Sequence, residues 1–437
     1  MANANGDTNA MNREIGLAGA VLLGLGSIVG TGVFVSIGIA TGVAGPNVLL
    51  AIFIASLLAI CNGLSSAQLA ASHPVSGGTY EYGYRWLTPS MGFSAGWLFL
   101  CAKSASAATA LLGLSGYLCV ATHAGEFGRL TLVTVALLAA IVLTILTLVG
   151  IKRTNIVNSL IVSVTLIALS LFVVFGFPAA VTRAEVILRG VFTFDKQSTL
   201  SLFHATALMF VAYTGYGRIA TLGEEVHEPR KTIPRAMIIT LIATMLLYAL
   251  VGFVAVALVG PEQLASAVKT SIAPLLFATD SLNIPWLKGT VLVGAITAML
   301  GVVLNLILGL SRVALAMARR GDLPGSFSAI DRNGIPRQAT ILVAVVVCGL
   351  VLLGDVRLSW SFSAFTVLLY YSLTNLCAIL LEKESRLYPI WISWAGLLGC
   401  LSLACWLTPK VVLAGVIVLV VGFLLRAVFR RNAASKT

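Results

Sequence analysis

Two glycine-rich interruptions and one lysine carry most of the chemistry this sequence offers. The stretch GLGSIVGTGVF, residues 24–34, puts Gly26, Gly30 and Gly32 within seven residues of an apolar run. Each glycine inside a helix costs about 1 kcal/mol relative to alanine. A helix unwound there exposes amide N–H groups that suit a carboxylate and carbonyls that suit an ammonium. A zwitterionic amino acid needs both. The stretch FVAYTGYG, residues 210–217, repeats the feature in a later apolar run. Close helix packing through small residues is the plainer reading of one glycine pair. Three glycines with Thr31, matched by Thr214 and Gly215, favour a binding site. The lysine is Lys103, within FLCAKSASAAT at residues 99–109. An ammonium at the centre of a spanning helix costs about 2.5–3.5 kcal/mol and usually faces a cavity or a partner. It lies about eleven residues, or roughly 16 Å, inside the run, a distance its side chain recovers only in part. Three roles are open to it: a coupling group that exchanges protons, a fixed structural charge, and a snorkelling side chain.

The elements that must position these groups are membrane helices. The 437 residues are 59% hydrophobic and 10% charged, with a mean hydropathy of +1.00. Soluble chains average about 25% charged residues. The formal charge of +12 sits mostly in short loops, where lipid headgroups and topology explain it better than nucleic acid. The polar N-terminus shows no cleaved signal pattern. The seven cysteines form no CxxC pair and give no disulfide framework or metal site. A hydrocarbon core of about 30 Å needs about 20 apolar residues. That ruler predicts twelve transmembrane helices, roughly 16–38, 47–70, 92–120, 130–150, 156–178, 202–222, 236–259, 288–316, 338–354, 358–381, 387–407 and 410–428. With twelve spans, 19 of the 28 lysines and arginines fall on the side of the termini and eight on the other. The positive-inside rule then places both termini in the cytoplasm.

The fold class expected is all-α: a polytopic membrane protein built as a 5+5 inverted repeat with broken helices 1 and 6. Spans one and six are five apart, so successive halves start on opposite sides, and paired glycine interruptions point to a transporter's binding site. The chain divides into a cytoplasmic tail (1–14), a first five-helix repeat with its connecting loop (15–201), a second repeat (202–381), and two further helices with a cytoplasmic tail (382–437).

Five segments, in order, resemble the amino acid–polyamine–organocation permeases, which have the leucine-transporter-type fold. GTGVF at 30–34 is similar to their G-S-G-I-F, and PVSGGTY at 74–80 with Tyr82 to P-x-S-G-G-x-Y-x-Y. AYTG at 212–215 resembles their helix 6 break, and EEVHEPRKTIPRA at 224–236 their E-x-x-N-P-x-x-x-I-P-R-A. Ser311 and Arg312 with ARRGDLP at 318–324 resemble S-R…A-R-D-G-x-L-P. The resemblance implies a substrate carboxylate on backbone N–H groups of Thr31 and Gly32, next to Gly30. It implies an amine on carbonyls of Ile28, Val211, Ala212 and Thr214, next to Gly215. Val211 stands where many members carry a gating aromatic. Tyr213 and Tyr216 are candidates to replace it, with ordinary packing as the alternative for each. Sodium-coupled members use two hydroxyl residues of helix 8. The corresponding positions fall near Leu300 and Gly301, which lack a side-chain oxygen, with Thr297 and Asn305 displaced to either side. Some sodium-independent members place a helix 5 lysine at the ion's position, but NSLIVSVTLI at 158–167 offers only Thr165. Lys103 of helix 3 is then the candidate coupling residue.

Glu81, Arg85 and Arg218 are the candidate inner gate, with Glu224 or Glu225 as further partners of Arg218. The function expected is secondary active transport of amino acids or related amines across the inner membrane by alternating access, sodium-independent and proton-coupled. Substrate exchange is the alternative. The expected partners are a small-molecule substrate, protons and membrane lipid, with no nucleic acid, cofactor or metal. A membrane-embedded enzyme would need clustered catalytic His, Asp or Glu, and none is found. A channel would show a continuous polar stripe, whereas the polar residues gather at two breaks. A transporter-like sensor would carry a sizeable output domain.

Overall fold

The computed structural model describes residues 15–74, 77–122, 128–149, 155–191, 196–220, 226–331 and 334–434. Among them the regular structure is helical, apart from an isolated bridge between Ile15 and Val226. In hydrocarbon a chain must satisfy its backbone polar groups internally, and long apolar runs do so as helices.

The first run folds as α1 (Leu17–Ile28), a turn at Val29 and Gly30, a π-helical turn (Gly32–Ser36) and α2 (Ile37–Ala44). Then come α3 (Val48–Ser72), the short α4 (Thr79–Trp86) and α5 (Pro89–Ala121), which carries Lys103. α6 (Arg129–Val149), α7 (Asn155–Val191) and α8 (Lys196–Tyr213) follow. α8 gives way to a 3-10 turn at Thr214–Tyr216 and to α9 (Gly217–Ala220). The chain continues through α10 (Pro229–Val259), two short helices, α11 (Pro261–Thr270) and α12 (Pro274–Asp280), and α13 (Pro285–Arg319). α14 (Arg337–Leu352), α15 (Val356–Ile379), α16 (Ile390–Cys405) and α17 (Pro409–Ala434) complete it.

Each of the twelve expected spans overlaps helix. By length and apolarity, eight described segments are able to cross a membrane. One of them, Leu17–Ser72, runs through two expected spans, while Arg337–Leu352 and Ile390–Cys405 are shorter apolar helices. The sequence ends the fifth span at Pro178, a residue that breaks most helices. In the structure helix continues through it to Val191. α11 and α12, each opened by a proline, lie where the sequence reading has only a loop.

Burial runs opposite to apolarity. α5 and α15 are the least apolar of the eight segments, yet 83% and 72% of their most apolar windows are buried, against 22% for α17. α5 packs against both α13 and α15. Its run of Ala and Ser lets these neighbours approach closely, so polar side chains collect inside the bundle. Leu138, Ile145, Val164, Val345, Leu398 and Leu424 point outward, a surface that suits hydrocarbon rather than water.

Candidate functional site

The two helix interruptions meet. An added Cβ on Gly215 would lie 2.6 Å from the backbone nitrogen of Ile28 and closer still to the carbonyl of Ser27. One on Gly32 would lie 2.7 Å from the Tyr248 hydroxyl and 2.8 Å from the Ala212 Cβ. Both glycines are there because two backbones approach too closely for a side chain. Beside this contact is a cavity of about 40 Å³, room for a few waters. Ile28, Thr31, Gly32, Val211, Ala212, Thr214, Gly215 and Lys103 line it, so most of the expected site residues converge there. Gly30 and Tyr213 do not line it. Gly30 faces the Val302 side chain, and the Tyr213 hydroxyl donates to the Ile52 carbonyl at 3.3 Å. Tyr213 therefore packs, with its ring 5.1 Å from that of Tyr248, and Tyr216 likewise packs against Tyr371.

Lys103 is 8% exposed. Its Nζ donates to the Thr214 Oγ1 at 2.9 Å and to the Thr214 carbonyl at 3.3 Å. The Tyr371 hydroxyl donates to the same carbonyl at 3.2 Å. A carbonyl has two lone pairs, so that of Thr214 is fully used and leaves no place for the amine the sequence assigns to it. The other three carbonyls also lie within reach of internal hydroxyls. Thr214 Oγ1 donates to Val211 at 2.8 Å, and the Tyr248 hydroxyl stands 2.9 Å from the Ile28 carbonyl and 3.3 Å from that of Ala212. The Thr31 Oγ1 is buried with no hydrogen-bond partner, which leaves it for a ligand.

Five further residues complete the wall: Ser27, Ser106, Val302, Leu306 and Trp360. Apart from Ser27 they stand on the unbroken helices α5, α13 and α15. The Trp360 ring supplies an aromatic wall, and its Nε1 donates to the Leu208 carbonyl at 2.9 Å. Near the expected ion position, Thr297 and Thr165 hydrogen-bond within their own helices, at 2.8 and 2.9 Å. No group of three or more His, Cys, Asp or Glu able to hold a metal is present among the described residues.

The candidate gate residues are spread over several contacts. The sequence reading groups Glu81 with Arg218; in the structure its carboxylate pairs with Arg320, at the end of α13. The Arg320 guanidinium also lies over the Tyr84 ring at 4.5 Å. Burial raises the Glu81 carboxyl above the usual range, and Arg320 offsets part of that effect. Arg85 donates to His73 Nδ1 at 3.1 Å and lies over Trp86. Burial, and then the Arg85 charge, lower the His73 pKa. Arg218 lies in α9, and its expected partners Glu224 and Glu225 lie outside the described residues. A stronger cluster centres on Asp322, which is fully buried. It accepts Arg426 Nε at 2.8 Å, the Tyr84 hydroxyl at 2.5 Å, the Tyr80 hydroxyl at 3.0 Å and Arg430 at 3.3 Å. The sequence reading names none of these as a partner of Asp322. The cluster joins α4, the turn that follows α13, and α17 at the end of the bundle that carries the 73–89 loop.

Comparison with known proteins bears on the whole chain. The family described as amino acid permease matches residues 19–434. An uncharacterized transporter of Mycobacterium tuberculosis is 38% identical over 418 residues, covering 94% of this chain and 90% of its own. The branched-chain amino acid permease of Bacillus subtilis is 29% identical, covering 78% of this chain and 74% of its own. A vacuolar cationic amino acid transporter of Arabidopsis thaliana is 26% identical, covering 86% of this chain and 64% of its own. With a cavity at two touching helix breaks and a match along nearly its full length, the chain is a multi-pass membrane protein that belongs to the amino acid permease family of the amino acid–polyamine–organocation superfamily.

Proposed function

We propose that this permease is a secondary active transporter that moves amino acids, sodium-independently and with protons, by alternating access across the inner membrane. Both termini are cytoplasmic in this reading, and the two glycine breaks belong to the first helices of two inverted five-helix repeats. One observation carries it. Both breaks and the lone intramembrane lysine, far apart in sequence, line a single cavity. Irregular backbone at membrane depth is tolerated where it is buried in protein or lines such a cavity.

Thr31 and Gly32 offer their backbone and the free Thr31 hydroxyl to the substrate carboxylate. Ile28, Val211 and Ala212, which line the cavity, offer their carbonyls to the amine. Lys103 ties α5 to the α8 break through Thr214. Loss of its proton weakens that tie, and its return restores it, which links protonation to the position of the break. The relatives are named for branched-chain and for cationic amino acids, so they do not fix the side chain carried.

The test is uptake by purified protein in proteoliposomes, with a panel of labelled amino acids and with sodium and the pH gradient varied independently. Uptake should follow an inward proton gradient whether or not sodium is present, and Lys103→Ala should lose the pH response. Strict sodium dependence would end the coupling proposal. Unaltered pH-driven uptake by Lys103→Ala would return the lysine to a structural role.

A further inference from the structure

Among the described residues, no carboxylate pairs with the positive charge in the cavity. All 16 aspartates and glutamates lie outside the twelve expected spans. Lys103 is the one charged residue lining the cavity. Its described partners are the neutral oxygens of Thr214. Among the described residues no ion pair includes it. The other buried charges, Asp322 and Arg426, neutralise each other away from this site. Around the lysine, Val211, Val302, Leu306 and Trp360 give apolar walls.

We propose that Lys103 sets the charge class of the substrate: the cavity takes neutral amino acids with apolar side chains and rejects arginine, lysine and diamines. The proposal rests on the transport reading and deepens it. A neutral zwitterion brings one carboxylate and one ammonium, so it adds no net charge to a site that already holds one cation. A cationic side chain brings a second positive charge into a small space with no carboxylate among its lining residues. At a separation of about 6 Å and an effective dielectric of about 20, that repulsion weakens binding by about a hundredfold. The four apolar walls offer no hydrogen-bond acceptor to offset it.

Arginine and citrulline have nearly the same shape and differ in charge, so they separate charge from size. Proteoliposomes holding the full chain are given labelled alanine, valine or leucine, with unlabelled arginine or citrulline as competitor. The wild type should accumulate at least one neutral amino acid, and arginine should compete at least tenfold less well than citrulline. Lys103→Met removes the charge at similar length and should bring the two competitors together. Lys103→Arg should keep them apart. If Lys103→Met does not fold, the wild-type ratio still decides.

Equal competition by arginine and citrulline in the wild type, or their continued separation in a folded Lys103→Met, overturns the charge filter and leaves amino acid transport standing. Absence of uptake for every amino acid tested, together with no thermal stabilisation of the solubilised protein by any of them, removes the transport reading and the filter with it.

Discussion

Gly215→Ala tests whether the contact between the two helix breaks holds the site together. The added methyl would stand 2.6 Å from the Ile28 nitrogen and nearer the Ser27 carbonyl. Ordinary contacts between heavy atoms begin at about 3.4 Å, so the two breaks must part by about 0.8 Å or more. Both opposing atoms are backbone, and no side chain can rotate away. Overpacking of this kind costs about 1–3 kcal/mol, from which the higher helix propensity of alanine returns about 0.5–1 kcal/mol. The gap opens between Ile28 and Thr214, so Lys103, already at 3.3 Å from the Thr214 carbonyl, loses or lengthens that bond. The expected result is a lower melting temperature and at least a tenfold loss of apparent affinity in uptake. Gly309→Ala on α13 is the control, because nothing lies within 4 Å of its added Cβ. That change should leave uptake intact and stability equal or slightly higher. If the two variants melt and transport alike, the breaks do not form one packed unit and the reasoning about the site fails.

Three other substitutions probe separate parts of the molecule. Tyr248→Phe removes the hydroxyl placed between the Ile28 and Ala212 carbonyls, which should cost about 1 kcal/mol of stability and weaken substrate affinity, read by melting and by uptake kinetics. Asp322→Asn leaves the buried Arg426 without its counter-charge and should cost about 3–5 kcal/mol, measured by denaturant titration in detergent. Glu81→Gln, at a pair whose Arg320 is well exposed, should cost at most about 1 kcal/mol in the same assay. His73 has its pKa lowered in the folded chain, so the unfolded chain binds its proton first as pH falls. Its share of stability is present above the ordinary histidine range and is lost as pH falls through about 6.5 toward the lower folded value. His73→Gln should flatten that part of the melting-temperature profile, and an unchanged profile would show that the pair with Arg85 contributes nothing.

Much of the local structure was legible from composition alone. Long apolar runs can satisfy their backbone in hydrocarbon as helices, so each expected span met helix. Three glycines within seven residues make a helix expensive, and the first run does unwind at Val29 and Gly30. The extension of α7 through Pro178 and the helices α11 and α12 were not legible. Proline marks a boundary in one place and rides inside a helix in another, and its neighbours in space decide which.

By itself the sequence determined the helices, the two points where they break, the isolated lysine in their interior and the family to which the chain belongs. These depend on local apolarity, backbone cost and ordered motifs, all of which can be read along one dimension. Only the tertiary structure decided that Lys103 reaches Thr214, that Trp360, Val302 and Leu306 face the same cavity, and that Gly30 and Tyr213 stand off its wall. It also gave Glu81 to Arg320 and placed Asp322 between α4 and α17. The reason is physical. A spanning helix presents apolar residues to lipid and to its neighbours alike, so its own residues do not record which face turns inward; the packing of one helix on another fixes that.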